Sequence, residues 1–89
     1  MSSDFYRRAL IRNFFAFLFR EGEDYLAMVK EEEANRVCSA DDKELLELAS
    51  TTAEFVVGIT MSDSEISRKV AKVREWCNSL QSSSDHGEK

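Results

Sequence analysis

Cys38, Cys77 and His86 could carry the sharpest chemistry in this sequence, as thiolate nucleophiles, an imidazole base or soft metal ligands. Their spacing argues against each use. Structural zinc sites draw on close pairs such as Cys-x-x-Cys, whereas these cysteines stand far apart and the sole histidine lies among serines, Gly87 and charges. Neither thiol has a histidine near it in sequence, and no glycine-flanked serine or phosphate-cradling glycine loop is present. Carboxylates abound, but Glu31, Glu32 and Glu33 are consecutive. On a helix they diverge by 100° per step, so they form an acidic surface and not a convergent acid/base pair. The expectation is a non-enzyme with no metal and no cofactor.

The remaining chemistry is recognition. Residues 1–20 carry four arginines, Arg7, Arg8, Arg12 and Arg20, against Asp4. Phenylalanines lie between them, and arginines and aromatics are enriched where proteins meet. Phe5, Arg8, Arg12 and Phe19, with the single tryptophan Trp76, are therefore the candidate partner-binding residues. Residues 21–47 are strongly acidic, and such a stretch can attract a basic groove on another protein by imitating nucleic acid. The whole chain has a net charge of −5, which argues against general nucleic-acid binding by the protein itself.

The elements that must present these residues are helices. Eighty-nine residues make one domain, and three glycines with no proline leave few of the punctuators that β-hairpins need. Tyr6, Leu10, Ile11, Phe14, Phe15, Phe17 and Leu18 share one arc, and Tyr25, Met28 and Val29 return to it beyond Gly22. That phase favours one long helix from about Asp4 to Arg36; the alternative is a break near Gly22. Phe5 and Phe19 project to the other side, so the segment looks apolar nearly all round. So short a chain has little left to cover it, which predicts a homodimer through this Phe-rich helix.

A second helix is expected from about Asp41 to Thr60, capped by Ser39 with Asp42, and weakened towards Gly58. Its apolar side runs from Leu45 and Leu48 through Ala53 to Val56 and Ile59. Ser62 and Glu65 form a capping box for the third, whose seam is Ile66, Val70, Val73, Cys77 and Leu80. A short link makes these two helices antiparallel neighbours, which brings Cys38 and Cys77 to one end. A disulfide fits that geometry, but two unpaired thiols, with Cys77 in the core seam, are the favoured reading. Residues 1–80 form the domain and 81–89 a disordered polar tail.

The fold expected is thus an all-α bundle of three main helices, dimeric. The longest apolar run, Phe14 to Phe19, is too short for a secretory signal or a membrane span, and a cytoplasmic location follows. The function expected is a protein–protein interaction module. It would be an adaptor or inhibitor of a larger protein, in one version encoded by a virus or mobile element and acting on a host enzyme. The alternative is a small DNA-binding regulator using Arg68, Lys69 and Lys72 of the third helix.

Overall fold

The computed structural model describes the backbone of residues 2–87 and side chains from Asp4 to Gln81. It is all-helical, with no strand among the described residues. Helix α1 spans Ser2–Glu21, α2 Glu31–Ser39, α3 Asp42–Thr51 and α4 Asp63–Gly87. A 3-10 segment, Glu23–Met28, joins α1 to α2, and α3 continues as a π-helical stretch, Thr52–Val57.

The first helix therefore ends at Gly22 and does not continue to Arg36. Gly22 sits at φ 88°, ψ −175°, a backbone region that side-chain-bearing residues do not enter. A Cβ there would meet nothing within 4 Å, so the requirement is one of backbone strain alone. The amide of Gly22 still donates to Leu18 O at 2.8 Å, and Tyr25 N to Gly22 O at 3.1 Å, so the break leaves these donors satisfied. The expected three helices become four because this turn separates α2 as an element of its own.

Capping explains the next boundary. Asp41, not Ser39, caps α3: its carboxylate accepts from Glu44 N at 2.8 Å. Ser39 is already engaged in closing α2, its hydroxyl donating to Arg36 O at 2.8 Å. The box at the start of α4 is formed as expected, with Ser62 N donating to Glu65 and Glu65 N to the Ser62 hydroxyl.

At the end of α3 the apolar face changes phase. Leu45, Leu48, Ala49, Thr52 and Ala53 are buried at α-helical spacing, which would next turn Val56 inward. The π-helical turn holds about one residue more than an α turn, so the face shifts by one position. Val57 becomes half-buried, while Phe55, Val56 and Ile59 stay exposed, against the sequence pattern. Gly58 then ends the helix at φ 78°, with its own amide and that of Ile59 on Ala53 O.

One core joins the helices. Ile11, Phe14, Phe15 and Leu18 of α1 pack with Val37, Leu45, Leu48, Ile66, Val70, Val73 and Cys77. Phe14 and Phe15 are fully buried. Most of the Phe-rich face that was expected to need a second chain is thus covered within one chain, by α2, α3 with its π-helical stretch, and Trp76 of α4. Phe5, Tyr6 and Phe17 remain exposed, at 70%, 57% and 46%. The α4 backbone stays helical to Gly87, past the Leu80 at which the sequence ends the domain. That helical backbone runs through most of the tail expected to be disordered over 81–89, whose side chains from residue 82, His86 included, and whose last two residues lie outside the described ones.

A candidate partner-binding groove between α2 and α4

The same turn at Gly22 that ends α1 lays the 3-10 segment beside α2 and α4. Aromatic stacking fixes it there. Trp76 of α4 stacks on Phe14 with ring centroids 5.6 Å apart, Phe14 meets Tyr25 at 5.9 Å, and Tyr25 stacks on Phe17 at 5.5 Å. Tyr25 also donates its hydroxyl to Glu33 of α2 at 3.4 Å. Burial, then the Glu33 charge and this hydrogen bond, push the Tyr25 phenol above its ordinary value.

Two devices fasten α2 to α4. Cys38 and Cys77 form a disulfide, with Cα atoms 5.6 Å apart. The favoured reading of two free thiols is overturned because the antiparallel α3–α4 pair carries the end of α2 to the last turns of the α4 seam. Beside the bond, Arg74 donates to Cys38 O at 3.2 Å and Ala40 O at 2.7 Å, and pairs with Asp42 at 3.0 Å. A guanidinium on the carbonyls at a helix C-terminus complements both their unmet acceptors and the helix dipole.

Between the 3-10 segment, α2 and α4 lies a groove of about 630 Å³. Leu26, Val29, Ala34, Cys38, Trp76 and Leu80 make its apolar wall, and Glu31, Asn35 and Gln81 bring polar groups to it. Two other hollows are smaller. One of about 220 Å³ lies by Ile59 and Met61, and one of about 270 Å³ is lined by Glu23, Glu65, Arg68, Lys69 and Lys72. Volume and an apolar lining with a few polar groups make the groove the candidate ligand site.

The residues proposed from sequence are not gathered into one site. Trp76 alone of the five reaches the groove. Phe5 projects from the first turns of α1. Arg8 is held by Glu44 at 2.9 Å and Glu47 at 3.7 Å, next to Arg7, which also binds Glu44. The hydrogen bond from Arg7 to Asp4, helped by Glu44 and opposed by burial, raises the Arg7 pKa. Arg12 is half-buried on α1, and Phe19 stacks on Phe15 at 5.7 Å as part of the core edge. Of the acidic trio, Glu31 borders the groove, Glu32 pairs with Arg36 at 3.3 Å, and Glu33 accepts from Tyr25. Leu26 was missed as a site residue because the Gly22 turn brings the 3-10 segment here, and Ala34, Cys38 and Leu80 because the sequence pattern makes α2 the end of the first helix and not a wall beside α4.

Among the described residues no group of three or more His, Cys, Asp or Glu side chains is arranged to hold a metal ion. No described helix is long and apolar enough to cross a membrane. No family model, curated protein or solved structure matches the chain.

Proposed function

We propose that this chain is a non-enzymatic protein-interaction module, an adaptor or inhibitor of a larger protein, and that the groove between α2 and α4 is its docking face. The observation that carries the reading is that groove itself: apolar, about 630 Å³, and bounded by walls tied together covalently. Preformed walls lower the ordering penalty of binding. The viral or mobile-element inhibitor is one version of the same reading.

Affinity capture with nuclease treatment tests it, using the wild type beside Ala27→Arg and Leu80→Arg. Both residues are exposed and line the groove, so these variants obstruct it without opening the core. A single dominant protein that survives nuclease, is lost from both variants and is kept by Phe5→Ser supports the proposal. Retention by all variants removes the groove from it.

Homodimerisation through α1 now rests on Phe5, Tyr6 and Phe17. A two-chain mass by light scattering at micromolar concentration supports it, and a one-chain mass ends it. The DNA-binding alternative has less to draw on. Arg74 is committed to Asp42 and two carbonyls, and Lys72 lies 3.9 Å from Glu23, so the basic face of α4 is partly neutralised. The Cys38–Cys77 bond bears against the cytoplasmic location. Disulfides persist in oxidising compartments, and thiol labelling in cells before lysis reads which applies.

A further inference from the structure

We infer that the groove takes a cationic amphipathic helix, about two turns of which lie along α2; this rests on the groove being the docking face. Length is the first argument. The lining residues of α2 run from Glu31 to Cys38, seven steps, which at 1.5 Å per residue span ~10.5 Å. That equals the separation of positions i and i+7 on a ligand helix, the spacing by which helix-in-groove partners anchor. Ala34 on one wall and Ala27 on another are small, so a helix backbone can approach closely.

Charge is the second argument. Among the described lining residues Glu31 is the one ionisable group, and it makes no ion pair there, in contrast to Glu32 beside it. Lys30, next in the chain, is outside the lining. A carboxylate at the mouth of an apolar groove favours a cation that arrives with its own apolar face, because the attraction between the two charges strengthens as the apolar faces exclude water. Trp76 adds to this preference. One face of its ring is covered by Phe14, and the residue lines the groove, where a lysine or arginine can meet the indole.

The experiment uses the oxidised full chain and a displayed library of helix-favouring 14-residue peptides without tryptophan. Selection is on wild type, with counter-selection on Ala27→Arg. Trp76 is the only tryptophan and lines the groove, so its emission reports occupancy by the winning peptides. The expected winners carry apolar residues at i, i+3 or i+4, and i+7, with Lys or Arg between. They shift Trp76 emission and lose about tenfold in affinity on Glu31→Lys, against a few-fold on Glu31→Gln. Neutral or acidic winners overturn the inference, as does affinity indifferent to Glu31→Lys. A groove that takes only fatty acyl amphiphiles, or only a second copy of this chain, overturns it too. If no peptide is enriched in a groove-dependent way while captured protein is still lost from Ala27→Arg and Leu80→Arg, the inference falls and the docking face stands. Capture unaffected by those variants brings down the docking face itself.

Discussion

Helix α4 meets its two neighbours in different ways. Against α3 it lays Ile66, Val70 and Val73 into one buried core with Leu45, Leu48 and Ala49. Against α2 it is held by a disulfide and by Arg74 on two carbonyls, and an open groove runs beside that junction. Side chains that interdigitate close the space between helices. A covalent bond and a guanidinium fix the distance while leaving the space. The contrast teaches that an apolar surface is kept open by replacing packing with tethers at one edge.

The comparison breaks most completely through Phe14, which serves both sides. It is fully buried in the core and stacks on Trp76 and Tyr25. Phe14→Ala is expected to cost about 3–5 kcal/mol in chemical denaturation and to abolish the groove with the fold. Reduction of the disulfide should separate the two sides. Closure of a loop spanning 39 residues in sequence is worth about 4 kcal/mol in the chain-entropy account, with 2–5 measured for native bonds. Hydrogen exchange on the reduced protein is expected to quicken in α2 and the 3-10 segment while the α3–α4 seam keeps its protection. Equal loss in both would show that the seam depends on the tether.

Gly22→Ala is next. It forces a side-chain-bearing residue into the region near φ 88°, ψ −175° and should lower stability by about 1–3 kcal/mol, with the groove side loosening first. Thr52→Val acts on the packed side and in the opposite direction. The Thr52 hydroxyl is fully buried and has no hydrogen-bond partner, so a methyl in its place should raise stability by about 1 kcal/mol.

The smallest effect is at alkaline pH. The folded state holds the Tyr25 proton above the ordinary value of 10.0, so its contribution is complete below pH 10 and is lost as pH rises through the folded value. Tyr25→Phe is expected to flatten the fall in stability above pH 10. An unchanged slope would place Tyr25 outside the titration.

Periodicity and capping signals made the packed side legible. The Ser62–Glu65 box and the seam from Ile66 to Cys77 are local patterns that the fold keeps. The groove side was not legible, because it depends on one torsion. Tyr25, Met28 and Val29 are in phase with α1, so periodicity argued for continuity, whereas Gly22 adopts a conformation that periodicity does not register. Ser39 was the expected cap of α3, but its hydroxyl is engaged with Arg36 O and Asp41 caps the helix in its place. Excess apolar surface on α1 was overcounted, since a helix read by itself does not reveal how many neighbours will pack on it.

The π-helical stretch has a genetic consequence. A turn one residue longer than its neighbours is what a single inserted codon would leave in an α-helix whose two flanks kept their old packing. Removing one codon from the stretch would restore a uniform α-helical turn with both flanks still in place, so Val57 would stay on the packed side. A one-residue deletion at Phe55 or Val56 would therefore trim the apolar surface that the protein displays at that end without altering the composition of its core.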